Sequence, residues 1–152
     1  MGSLPLVLAQ ETEGPTLLLD THALVWLMFG EPMLGPLANK SIQLASRTDR
    51  LLVSAITPWE IALLVSKRRI DLRQDVLEWL WSALKLPGVK LEPLSPEISV
   101  ASTRLPWEMH ADPADRILAA TARHIGAVLV TADRKLLEYA EEKHFRALDA
   151  AA

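Results

Sequence analysis

Thr16-Leu17-Leu18-Leu19-Asp20-Thr21-His22-Ala23-Leu24-Val25-Trp26 runs a largely apolar stretch straight into an aspartate, and an apolar helical pattern follows with no spacer. A short continuous apolar run is the pattern of a strand buried on both faces, as in a parallel sheet. Ending such a strand on a carboxylate places a charge at the mouth of the sheet. Working outward, Leu51–Ser54 reads as a second buried strand and Val89–Leu94 as a weaker third. Ala127–Val130 is the clearest strand, and Phe145–Leu148 reads as a last edge strand.

Helical patterns fill the intervals. Thr21–Phe29 is stopped by Gly30-Glu31-Pro32, and Leu34–Arg47 forms a second stretch. Thr57-Pro58-Trp59-Glu60 reads as a capped start, with Thr57 at N-cap, Pro58 at N1 and Glu60 at N3. Asp75–Leu86 is a further helix with Val76, Leu77, Leu80, Trp81 and Leu84 inside. Ser95-Pro96-Glu97 opens a short one to about Leu105. Asp112-Pro113-Ala114-Asp115 opens the next, which ends near Gly126, and Asp133–Lys143 is the last. Strands alternating with helices imply an α/β fold, three-layered α/β/α, around a central mainly parallel sheet. Stretches 30–50 and 67–86 hold more than one helix between strands and suggest a helical arm.

At 152 residues the chain is long enough for one full core. Residues 16–149 read as a single domain after a loose tail at 1–15. A net charge of −3 does not advertise nucleic acid, so such a partner would be met by a local basic patch or through cations. The absence of cysteine excludes disulfides and thiolate metal sites and fits a cytoplasmic location. No apolar run approaches the ~20 residues a membrane helix needs. Leu4–Ala9 is apolar but short, and no basic residue precedes it, which argues against a secretory signal.

In right-handed βαβ units, strand C-termini and the N-termini of the following helices share one edge of the sheet. Asp20 ends the first strand, Glu60 sits in the first turn after the second, Asp112 and Asp115 open the helix that feeds the Val128 strand, and Asp133 follows that strand. Taken singly, Asp20, Asp112 and Asp133 are also plain helix caps, and Glu60 the far arm of a capping box. Together they fall on the edge where open parallel sheets bind ligands. Clustered carboxylates repel unless a cation compensates. Hard oxygen donors without Cys or a His cluster suit Mg²⁺ or Mn²⁺. For these acids to form one site, Asp20, Asp115 and Asp133 must converge on a site of a few ångströms in the folded chain.

Four stretches then resemble the four motifs of PIN-domain proteins: Leu17–Leu24, Ser54–Ile61, His110–Ala122 and Leu129–Asp133. Within that family the chain is most similar to the VapC-like toxins of bacterial toxin–antitoxin pairs, over roughly residues 16–149. The resemblance implies a Mg²⁺- or Mn²⁺-dependent endoribonuclease that hydrolyses RNA phosphodiesters with a metal-bound water, needing no nucleophilic side chain. It implies that Asp20, Glu60, Asp115 and Asp133 are the catalytic metal ligands, and that Asp112 either supports the site or only caps its helix. It further implies a cognate antitoxin laid over helices 34–47 and 57–84, and a homodimer.

Other residues are weighed beside these. Arg116 and Arg134, each next to an acid, read first as solvated helix charges and second as candidates to hold a phosphate. Thr131 either contacts metal-bound water or caps the last helix. Lys67-Arg68-Arg69 with Arg73 is the main basic cluster and reads as an RNA-tracking patch or a solvated helix end. His22, His110, His124 and His144 lack metal-ligand spacing and read as core or surface, with His110 nearest the acids. Trp26, Trp59, Trp79, Trp81 and Trp107 read mostly as core, though Trp79 and Trp81 cannot both face inward. An aspartyl phosphatase would need a second Asp where His22 stands, and a phospho-receiver needs a lysine just after a late strand. A non-catalytic RNA- or protein-binding domain on the same fold is the main alternative.

Overall fold

The computed structural model describes residues 14–152. The tail expected over residues 1–15 lies, apart from Gly14 and Pro15, outside the described residues. Among the described residues the strands are β1 (Leu17–Leu19), β2 (Leu51–Ser54), β3 (Val89–Glu92), β4 (Val128–Thr131) and β5 (Arg146–Asp149). The helices are α1 (Thr21–Phe29), α2 (Pro36–Ser46), α3 (Thr57–Ser66), α4 (Val76–Leu84), α5 (Pro96–Ala101), α6 (Pro113–Ile125) and α7 (Arg134–Glu141). The strands form one sheet in the order β3-β2-β1-β4-β5, every neighbouring pair parallel.

β1 is central and wholly buried because its three residues are leucines with no polar face to offer solvent. Side chains alternate along a strand. Leu17 and Leu19 enter the core on one face with Val53 and Val130, and Leu18 enters the opposite core with Leu129, Leu118 and Leu136. Helices α1–α4 cover the first face and α6 and α7 the second, which gives the expected three layers. The helices of the anticipated arm belong to the first layer: Ala38, Ile42 and Ala45 of α2 and Trp79, Leu80 and Ala83 of α4 are buried there.

Strand order decides where a ligand can sit. The chain builds leftward from β1 to β2 and β3, then crosses back to lay β4 on the other side of β1. The sense of winding therefore reverses between β1 and β4, and the crevice beyond their carboxyl ends is the topological switch point of the sheet.

Three local expectations are corrected. The capping box at Thr57 does not form: Ile56 is the N-cap, already helical, and no side chain caps α3. The Ser54 hydroxyl accepts from the Ile56 N–H at 3.1 Å and turns the chain into the helix one residue early. That leaves Glu60 free of capping duty. In α4 the inward stripe is Trp79, Leu80 and Ala83, whereas Leu77 and Trp81 face solvent. β3 stops at Glu92 because Pro93 has no N–H for the ladder. The start of α2 has no side-chain cap either. Its N–H groups are met by the chain's last residues, with Ala152 O accepting from Leu37 and Ala38 at 3.0 and 3.1 Å. Gly35 is required there for space, since a Cβ would lie 1.9 Å from Ala152 O.

Candidate active site at the switch point

Asp20 closes β1 and caps α1. Its backbone N–H bonds Val130 O at 2.9 Å, so the β1–β4 ladder continues into the acid itself. The carboxylate is 7% exposed, with both oxygens engaged. Oδ1 accepts from the Thr21 N–H at 2.7 Å, and Oδ2 accepts from the Thr131 hydroxyl at 2.7 Å. Thr131 is fully buried at the end of β4, and its oxygen also accepts from the Asp133 N–H at 3.0 Å. One hydroxyl thus links the strand-end acids of β1 and β4. Asp133 uses Oδ1 to cap α7 through Leu136 N at 3.0 Å. The plain-cap reading of this residue is therefore correct for one of its oxygens only.

On the other side of the crevice, Asp112 Oδ1 caps α6 by accepting from the Asp115 N–H at 3.0 Å. This cap turns the helix so that Asp115, one turn in, faces the same crevice. Asp115 Oδ2 lies 2.7 Å from His110 Nε2, and the His110 ring stacks on Tyr139. Glu60 arrives from α3. The Thr21 hydroxyl, buried beside it, has no hydrogen-bond partner among the described residues.

All five acids line one cleft of about 370 Å³, walled by Trp26 and Leu64, with His22 at its rim. Two larger grooves of about 670 Å³ lie elsewhere, one between α5 and α6 and one along α7 and β5. Size does not identify the site here, because only the smaller cleft gathers the carboxylates. Their electrostatics register the gathering. Burial raises the pKa of Asp20 against the pull of the Thr131 and Thr21 hydrogen bonds, with Asp133 adding to the rise. Burial also raises Glu60, and Asp20 and Asp112 add to it. Asp115 is pushed up to about 7 by burial, opposed by His110 and assisted by Asp112, Asp20 and Asp133.

The donors are hard carboxylate oxygens with no thiolate, the chemistry that suits Mg²⁺ or Mn²⁺. Among the described residues, however, no three Asp, Glu or His side chains are already drawn together as a metal-ligand set. Asp20, Asp115 and Asp133 line one cleft but are not drawn together on a site of a few ångströms.

One candidate falls differently from expectation. The Arg116 guanidinium neither holds the site nor stands free in solvent: Nε donates to Ser102 O at 3.0 Å and Nη1 to Met109 O at 3.0 Å, which fastens the loop before α6. His22 is exposed at the cleft rim, and His110, expected nearest the acids, lies on Asp115. Arg134 and the cluster Lys67–Arg69 with Arg73 are exposed.

The class these features define is an α/β protein with an acidic crevice at the switch point of a parallel sheet. Residues 17–142 match the PIN domain family, and the chain belongs to that family. It is 36% identical over 121 residues to Ribonuclease VapC22 of Mycobacterium tuberculosis, covering 80% of this chain and 89% of that protein. Among solved structures, VapBC2 from Rickettsia felis, bound to a DNA fragment from its promoter, superposes with a TM-score of 0.65. The identity there is 17%, over 87% of this chain and 96% of that one. DNA-bound VapBC from Salmonella typhimurium likewise gives 0.65 at 16% identity, over 90% of this chain and 99% of the other. These two likenesses bear on the fold.

Proposed function

We propose that this chain is a Mg²⁺- or Mn²⁺-dependent endoribonuclease and the toxin component of a toxin–antitoxin pair. The observation that carries the proposal is the gathering of Asp20, Glu60, Asp115 and Asp133 in one cleft at the switch point. The named ribonuclease relative supports RNA as the substrate. The four carboxylates would hold the cation, and Asp112 supports them by orienting α6. When bound, the cation supplies an activated water and neutralises charge on the phosphate. The chain's own part is to hold the acids in place. Thr131 fixes Asp20 and Asp133 through one hydroxyl. The apolar walls Trp26 and Leu64 border the acids and limit water around them.

A cognate antitoxin is the proposed protein partner, by analogy with the VapBC complexes. The first layer offers it apolar surface: Met33, Leu37, Trp59, Leu77 and Trp81 are each about half exposed. That surface also serves a homodimer. No helix among the described residues is long and apolar enough to cross a membrane, and a cysteine-free chain suits the cytoplasm.

The test is incubation of purified, antitoxin-free protein with structured RNAs, in Mg²⁺ or Mn²⁺ and then in EDTA, beside Asp20→Asn. Metal-dependent cleavage lost in the variant is the expected result. Cleavage that persists in EDTA or in Asp20→Asn sinks the proposal. Tight RNA binding without cleavage by a folded protein moves the function to a binding module.

A further inference from the structure

His110 belongs to none of the acids, yet its ring is held more completely than any of them. Its backbone N–H donates to the Tyr139 hydroxyl at 3.3 Å. That hydroxyl, having accepted one hydrogen, has its own to give, and His110 Nδ1 lies 3.2 Å away. The ring planes of His110 and Tyr139 are 14° apart with centroids at 5.9 Å, so stacking fixes the imidazole's tilt. Arg116 fixes the backbone beneath it by binding the Met109 carbonyl one residue earlier at 3.0 Å. Tyr139 belongs to α7, the helix that Asp133 caps, so the ring is referred to the same element as the strand-end acids.

The carboxylate assigns the tautomer. An ionised Asp115 only accepts, so its Oδ2 at 2.7 Å takes the hydrogen on Nε2, and Nδ1 of a neutral ring is then the acceptor of the Tyr139 O–H. We propose that His110, held at Nδ1 by Tyr139, is a positioning residue that donates Nε2–H to Asp115 Oδ2 and so fixes the orientation in which that carboxylate would hold the cation. The proposal rests on the metal-binding reading of Asp115 given above. Its physical basis is that hydrogen-bonded partners behind a ligating carboxylate orient it and govern metal affinity. A neutral donor suits this place, because it orients the carboxylate without offering the cation a competing positive charge.

Two measurements test it. In the metal-free chain, ¹⁵N NMR of the neutral His110 ring is expected to show hydrogen on Nε2, with Tyr139→Phe moving the Nδ1 resonance as its hydrogen-bond donor is lost. Hydrogen on Nδ1 in the wild type overturns the assignment. Mn²⁺ binding followed by EPR is expected to weaken about 10-fold or more in His110→Ala, in line with removal of outer-shell partners. His110→Gln, which can present an N–H near the same place, is expected to recover most of the affinity. Thermal melts establish that each variant is folded. Unchanged Mn²⁺ affinity in folded His110→Ala overturns the positioning role while the metal site stands. A wild type that binds no Mn²⁺, or a folded Asp115→Asn that binds it as well as wild type, overturns the metal-site reading itself. The NMR result then still decides the tautomer.

Discussion

The two sides of the cleft hold their acids by different means. On the β1–β4 side, Asp20 and Asp133 stand at adjacent strand ends, and the register Leu19↔Val130 fixes their separation before any side chain acts. A single buried hydroxyl, that of Thr131, then completes the link. On the α6 side, Asp115 stands in the first turn of a helix, and the His110 ring against its carboxylate is carried by the preceding loop, where Tyr139 and Arg116 hold it. The sheet gives a position through backbone hydrogen bonds, which mutation of side chains leaves intact. The loop gives His110 its position through side chains, each of which can be removed singly.

The largest effect is expected from Asp20→Asn. The fold should persist, because the amide oxygen can still accept from Thr21 N and its NH₂ can donate to the Thr131 hydroxyl oxygen, while RNA cleavage falls by on the order of 10³-fold or more, a loss of the size seen when a key charge-stabilising group is removed. Gel assays with melts beside them check both halves. Next comes Thr131→Val, which keeps the shape but leaves Asp20 Oδ2 and the Asp133 N–H without their shared partner. Leaving buried polar groups unsatisfied costs about 1–3 kcal/mol each, so denaturant unfolding should show a loss of about 2–6 kcal/mol for the two. A stability equal to wild type would mean that backbone register alone holds this side.

Arg116→Met should cost less in stability, about 1.5–3 kcal/mol for hydrogen bonds from a charged donor, but should lower Mn²⁺ affinity through His110. If Mn²⁺ affinity is untouched, the loop does not need its clamp and the contrast between the two sides weakens. The smallest effect is thermodynamic and needs no mutation. Asp20, Glu60 and Asp115 have raised pKa values in the metal-free fold. A folded chain then binds more protons than the unfolded one between the ordinary carboxylate range and the raised values. Its stability therefore falls as pH rises through that window, up to about 7 for Asp115. Melts of the metal-free protein should show a decline of a few degrees between about pH 5 and 8, at roughly 2–4 °C per kcal/mol for a chain of this size. Saturating Mg²⁺ or Mn²⁺ at the upper pH should reverse it.

Much of this was legible in the chain. Three leucines before Asp20 announce a strand buried on both faces, and the acids after β1, β2 and β4 announce one edge. What could not be read was anything decided by residues far apart. The placement of β4 beside β1 is a long-range pairing. The His110–Tyr139 contact joins residues 29 positions apart. Arg116 resembled a phosphate holder because its neighbour is an acid, but its length lets it reach back to Ser102 O, which no local pattern reveals. Errors of a different kind arose where two local signals competed. Thr57 had the right neighbours for a cap, yet Ser54 began the turn first. In α4, Trp79 and Trp81 both lie on apolar stripes, and packing against Phe29 at 6.3 Å favours Trp79.

The short central ladder sets a rule for how the gene can change length. β1 has three residues, and its last pairs with Val130, one residue before Thr131. One residue inserted in β1 or β4 would advance an acid by about 3.3 Å and turn the following side chains to the opposite face. The spacers between motifs carry no such constraint, because a helix or loop can lengthen without shifting strand register. Insertions and deletions should therefore be tolerated around Glu31–Met33 or Arg73–Gln74 and excluded from Leu17–Asp20 and Val128–Asp133, so that the candidate site is written as two fixed intervals in an otherwise elastic text.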